Sequence, residues 1–160
     1  MNKILKTFAA CFIGLLPVAT FAKTSEAEQV RKIIDKVNQH WQAENKPEVR
    51  SFWDNAAYHT GNMEAYFLTG NETYRAYSEA WAKHNEWKGA KSNDRSQWKY
   101  SYGESDEYVL FGDYQICFQT YADLYNLAPE DYKIKRAREV MEYQMSTPQN
   151  DYWWWSDGLY

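Results

Sequence analysis

Asp157 stands in Trp153-Trp154-Trp155-Ser156-Asp157-Gly158-Leu159-Tyr160, the last eight residues of the sequence. Three consecutive tryptophans build an aromatic wall beside one ionisable group. Desolvation disfavours the charged form, so such a wall raises a carboxyl pKa from its free value near 3.9 toward the range where it gives and takes a proton near neutrality. The same rings suit the face of a sugar. Two other acids stand in related company, Asp54 in Phe52-Trp53-Asp54 and Asp113 in Phe111-Gly112-Asp113, and Trp155-Ser156-Asp157 continues this aromatic-x-Asp series. Asp is also a favoured helix N-cap, so its recurrence at helix starts fits capping as well as chemistry.

The elements that must position these acids read as helices. Ser25 to Glu28 is a capping-box pattern, and behind it Val30, Ile33, Ile34, Val37 and Trp41 fall on one helical face. Asn45 to Arg50, with Pro47, reads as a loop. The pattern predicts a second helix from about Asp54 to Leu68, closed by Gly70, and a third capped by Asn71 with Tyr74, Tyr77, Trp81 and His84 at helical spacing. A fourth is expected over Asp113–Tyr125. A fifth is expected to open with Pro129 in its first turn and to turn Ala137, Val140, Met141 and Gln144 inward. No alternating strand pattern of useful length is present. Between Lys88 and Glu107 the chain is polar yet holds Trp98, Tyr100 and Tyr102, a combination that fits either a functional rim or lid or simple loop packing.

Asn71-Glu72-Thr73-Tyr74-Arg75 lines up with Pro129-Glu130-Asp131-Tyr132-Lys133 at an offset of 58 residues. With the aromatic-x-Asp triplets upstream, the repeating unit is a pair of helices with an Asp at the head of the first. Helical hairpins repeating in this way close into a solenoid or an α/α toroid. In a toroid the first helices form the inner ring and their N-terminal ends face one cavity. Trp53, Asp54, Asp113, Trp155 and Asp157 would then converge there. His59 is a further ligand-contact candidate, although a histidine on a helix is more often a packing residue.

Composition narrows the class. Lys3 and Lys6, the apolar run Phe8 to Leu16, and the small residues Ala19, Thr20 and Ala22 make residues 1–22 a secretory signal, leaving 23–160 as the mature part. The expected destination is periplasmic or extracellular, with no membrane attachment after cleavage. Cleavage removes Cys11 and leaves Cys117 alone, without an intrachain disulfide. Core packing must therefore come from the aromatics, which make up 18% of the sequence. The formal charge is −4, and losing the two positive charges of Lys3 and Lys6 makes it −6. An acidic chain without a basic stripe argues against a nucleic-acid partner. Neither the composition nor the pattern fixes an oligomeric state.

At the residues just described the sequence resembles the unsaturated glucuronyl and rhamnogalacturonyl hydrolases, glycoside hydrolase families 88 and 105, and family 105 more closely. Leu68-Thr69-Gly70-Asn71-Glu72-Thr73-Tyr74 is similar to the family's turn between its first helices. Asp113 to Tyr125 resembles its second inner helix, and Trp155 to Tyr160 resembles its tryptophan-x-Asp-glycine signature. Gln115 to Phe118 departs by lacking a glycine often found there, and Asn55 stands where an aromatic is common; neither touches the two acids. The resemblance implies an all-α fold, an (α/α)6 toroid of helical hairpins with the first two to three hairpins present here. A ring of six needs roughly 350 residues, so 160 alone are expected to be open on one side, marginally stable and inactive.

The resemblance further implies an enzyme acting on oligosaccharides that carry a 4,5-unsaturated uronic acid at the non-reducing end, as left in pectin by a polysaccharide lyase. Asp157 matches the general acid and base, and Asp113 the second active-site Asp. No metal or cofactor is implied. Two rival readings stand beside it. One is a non-enzymatic helical-repeat protein binding glycans or another protein at the cell envelope. The other is a different α/α-toroid carbohydrate enzyme, such as a lyase using a Tyr, His or Arg base, or a processing glycosidase.

Overall fold

A computed structural model describes residues 25–147, and these are all-helical, without strands. Helix α1 spans Glu26–Glu44. Its start is the expected capping box: Ser25 Oγ accepts from the Glu28 amide at 3.2 Å, and the Glu28 carboxylate accepts from the Ser25 amide at 3.1 Å. Helix α2 (Trp53–Thr69) ends at Gly70, whose φ of 70° is the left-handed conformation that glycine adopts without a Cβ penalty. Asn71 then caps α3 (Glu72–His84), accepting from the Thr73 amide at 3.1 Å.

After α3 the chain makes a long excursion with a single 3-10 turn at Arg95–Gln97. It returns through a second 3-10 turn, Gly112–Tyr114, into α4 (Cys117–Leu127). The fourth helix is thus shorter at its start than the periodicity predicts. Pro129 does not open the fifth: it lies in the connection, followed by a 3-10 turn at Asp131–Lys133, and α5 runs Lys135–Ser146.

Helix α1 leads, α2 packs directly on both α3 and α4, and α4 and α5 each pack on the 3-10 turn between them. This is the helical-hairpin arrangement of an α/α toroid. One core cluster joins α2, α3 and α4 through Ala56, Met63, Trp81, Trp87, Tyr121 and Leu124. A second joins the loops at the helix starts to α5, through Phe52, Trp98, Leu110, Phe111, Tyr114 and Val140.

The 58-residue repeat is only partly structural. Phe52 and Phe111 occupy equivalent places, each buried and each the cap residue of the turn that follows. Tyr74 and Tyr132 do not: Tyr74 is buried in α3, whereas Tyr132 is exposed on the 3-10 turn with one edge on Trp87. The apolar face of α1 also differs from expectation. Ile33 and Val37 are 62% and 59% exposed: α1 meets α2 through Asn38 and Gln42 and, from that stripe, through Trp41, whose ring stacks on Tyr58 at 4.5 Å. On α5, Val140 is buried as predicted but Met141 faces outward.

Polar anchors hold the loops against this frame. Ser51 donates to the Lys88 carbonyl at 2.6 Å, Tyr121 donates to the same carbonyl at 3.1 Å, and Asn85 donates to the Val49 carbonyl at 2.9 Å. Trp87 sits at φ 58°, unusual for a bulky residue, and is held there by burial against Tyr121. Gly89 lets this turn meet the next one: a Cβ there would lie 1.9 Å from the Tyr114 carbonyl oxygen. Gly89→Ala is expected to displace the 112–114 turn and cost about 1–3 kcal/mol, read as a shift of the denaturant midpoint.

Candidate functional site

The aromatic-x-Asp triplets meet at one end of the helical layer. Phe52, cap of α2, packs its ring edge-on against Tyr114 at 4.8 Å between centroids, which puts the starts of α2 and of the 112–114 turn side by side. Trp53 and Asp54 open α2, and Asp113 lies in the turn that leads into α4. Because Phe52 and Phe111 are the cap residues, Asp54 and Asp113 lie inside the first turns and neither is an N-cap. Capping therefore does not account for the recurrence of these acids.

Their surroundings differ. Asp54 is exposed and accepts from its neighbour Asn55, through the amide at 2.8 Å and the side chain at 3.2 Å. The Asp113 carboxylate is partly buried and, among the described residues, makes no hydrogen bond or ion pair. Burial raises its pKa. Partial burial without a compensating donor shifts this carboxyl toward its neutral form. Trp53 is 51% exposed beside these acids, an unfilled aromatic surface at the same end of the layer.

His59 does not belong to this group, and the substrate-contact expectation for it is corrected by its position. It lies farther along α2, 2% exposed, its ring stacked on Trp81 at 4.0 Å and its Nδ1 3.0 Å from Ser78 Oγ on α3. Asn62 donates to the same Ser78 hydroxyl at 2.8 Å and to the Tyr74 carbonyl at 2.6 Å. The ring is one member of a buried α2/α3 network, and desolvation lowers its pKa to about 3, keeping it neutral. Trp155 and Asp157 lie outside the described residues, as do the signal residues 1–22.

Sequence reasoning missed the groups that frame Asp113 from the other side. Arg50 donates to Glu104 Oε2 at 2.7 Å while its guanidinium lies 4.4 Å from the Phe52 ring centroid. Tyr102 donates to Glu104 Oε1 at 3.2 Å and sets its ring edge-on to Phe111 at 5.6 Å. The Glu104 carbonyl accepts from the Tyr114 hydroxyl at 2.8 Å. The aromatic loop thus divides its roles. Trp98 is buried, donating to the Ser92 carbonyl at 3.1 Å and packed on Tyr143, whereas Tyr102 reaches the rim. The polar loop rich in aromatics was a visible signal for Tyr102; nothing in the spacing links Arg50 to Glu104. A groove of about 570 Å³ between α1 and α2, lined by Ile33, Val37, Ala57 and Leu68, is distinct from this end of the layer.

Helical hairpins with acids and exposed aromatics at the helix starts make up one part of an α/α toroid. The family model for glycosyl hydrolase family 88 matches residues 26–160, and the chain belongs to that family. Two solved structures are similar to it. One, described as a polysaccharide lyase, is 70% identical with a TM-score of 0.78 over 82% of this chain and 37% of its own. The other, a glycosyl hydrolase family 88 protein from Bacteroides vulgatus, is 64% identical with a TM-score of 0.77 over 79% of this chain and 36% of its own. The chain therefore spans little more than a third of the length of either. No curated protein matches it.

Proposed function

We propose that the chain belongs to a glycosidase that releases a 4,5-unsaturated uronic acid from the non-reducing end of pectin-derived, rhamnogalacturonan-type oligosaccharides. The reaction is hydration of the enol ether. An acid protonates C4, water adds at C5, and the resulting hemiketal opens with loss of the glycosidic bond. Asp157 supplies the acid and base. Asp113 contacts the sugar and assists, and Trp53, Asp54 and Trp155 line the ring's binding place. The enzyme works outside the cytoplasm, after removal of residues 1–22.

The observation that carries this reading is the Asp113 carboxyl: partly buried, without a hydrogen-bond donor among the described residues, and next to exposed rings. Such hydration does not need two carboxylates flanking an anomeric carbon, so it falls outside the usual retaining and inverting schemes.

The polysaccharide-lyase description of one relative favours a second reading, cleavage of the polymer by β-elimination. One assay separates the two by sign. With lyase-digested pectin, a hydratase consumes the enol-ether absorbance; with intact pectin, a lyase creates it. Growth of the band on intact polymer and no loss on the digest would overturn the hydrolase reading.

A further inference from the structure

The Arg50–Glu104 pair stands where the two helix starts meet, and the hydration chemistry makes no direct use of it. Glu104 divides its carboxylate, Oε2 accepting from Arg50 at 2.7 Å and Oε1 from the Tyr102 hydroxyl at 3.2 Å. Its backbone carbonyl accepts from the hydroxyl of Tyr114, the neighbour of Asp113 in the same turn, at 2.8 Å. Arg50 lies on the ring of Phe52, the cap of α2, and Tyr102 sets its ring edge-on to Phe111, the cap of the Gly112–Tyr114 turn. One loop residue is thus bound to both segments that carry the acids. The charged and titratable groups at this end of the layer are Arg50 and Asp54 by the start of α2, Tyr102, Glu104 and Asp106 on the loop, and Tyr114 beside Asp113. Arg50 is the cation among them. The Tyr102 phenol is held above its ordinary value by its hydrogen bond to Glu104 and by that carboxylate's charge, with Asp113 adding to the effect and Arg50 opposing it. The Tyr102 hydroxyl therefore lies within the fields of Glu104, Arg50 and Asp113 together.

We propose that Arg50 and Glu104 are a matched pair of positioning residues, tying the loop to both helix starts and cancelling each other's charge near Asp113. Either charge alone would bias that acid: a bare Arg50 favours the carboxylate, and a bare Glu104 favours the neutral form. Together they leave its protonation to burial, which is the cause of the Asp113 shift. The pair acts through Asp113 and does not touch the sugar. The proposal rests on the hydrolase reading for what Asp113 does and adds what keeps its charge state from being set by its neighbours.

The test is the titration of the Asp113 carboxyl carbon by NMR in a full-length protein carrying this segment, with the signal assigned by its loss in Asp113→Asn. Glu104→Gln is expected to lower the midpoint and Arg50→Gln to raise it, each by on the order of half a pH unit at low salt. The double variant should return to the parent's midpoint, and Arg50→Lys, which keeps the charge, should stay there. Both partners are half-exposed, so salt at about 1 M, with a screening length of about 3 Å, should shrink both shifts. Initial rates on lyase-digested pectin over the same pH range should displace the kcat/KM profiles in the same two directions. Thermal melts show that each variant is folded. Folded single variants that move the midpoint in one common direction, or not at all, overturn the pairing. So does a double variant farther from the parent than either single one, as a purely structural loss would make it. Midpoints that split while the rate profiles coincide remove the pair from the reaction. A parent that consumes no enol-ether band at any pH sinks the hydrolase reading, and the titration still decides the pairing.

Discussion

In a full-length protein carrying this segment, Asp113→Asn is expected to lower release of the unsaturated uronic acid by about two to four orders of magnitude, the range typical of losing an acid–base group. Asp157→Asn should be at least as severe. Both changes keep side-chain volume, so neither should disturb packing. In the parent, the Asp113 carboxyl has no donor to satisfy it among the described residues and burial raises its pKa. An amide at this place can neither hold nor deliver a proton. Initial rates at the enol-ether band measure the loss, and a denaturant melt of the same preparation shows whether the fold is kept. If the Asp113→Asn variant retains activity within a few-fold of the parent, with unaltered pH dependence, Asp113 has no part in the chemistry.

The second large effect lies in stability. His59 has a folded pKa of about 3 against roughly 6.5 in an unfolded chain, because its ring is sealed between α2 and α3. Above pH 6.5 both states are neutral at this ring and its contribution is complete. As pH falls below 6.5, only the unfolded state takes up the proton, and the folded state loses about 1.4 kcal/mol for each further pH unit. Between pH 6.5 and 4 the loss from this one group is roughly 3 kcal/mol, and it continues until the folded ring titrates. His59→Phe retains a ring against Trp81 and cannot titrate. Urea midpoints measured from pH 7.5 to 4 should therefore fall more steeply for the parent than for the variant. Parallel slopes would show that the ring is protonated in the folded state. Asp113 and Asp123, both raised by burial, bias stability in the opposite direction, which is why the comparison with the variant carries the argument.

Local chemistry made much of the fold legible before any tertiary information. The Ser25 capping box, the Gly70 stop and the Asn71 cap depend on hydrogen bonds within four residues, and each stands where its pattern puts it. The starts of α4 and α5 were less legible. Gly112–Tyr114 and Asp131–Lys133 turn as 3-10 segments beside Phe111, which packs in one cluster with Phe52 and Val140, and Lys133, which lies over Trp87; these neighbours are distant in sequence. Ile33 and Val37 carry a clear helical stripe, yet periodicity says which residues share a face and not what covers it.

The sequence by itself determined the helical hairpins and the aromatic-x-Asp series at their heads, because caps and 3.6-residue periodicity are short-range properties. It also marked the loop around Tyr102 by its composition. Only the tertiary structure decided which candidates are sealed and which stay exposed. His59 and Trp53 share one helix six residues apart, and the packing of α3 sealed the first while leaving the second open. Likewise, Arg50 and Glu104 are 54 residues apart and meet because Phe52 and Tyr114 bring two helix starts together. Burial and long-range electrostatics depend on the whole surroundings of a group, and no spacing rule encodes them.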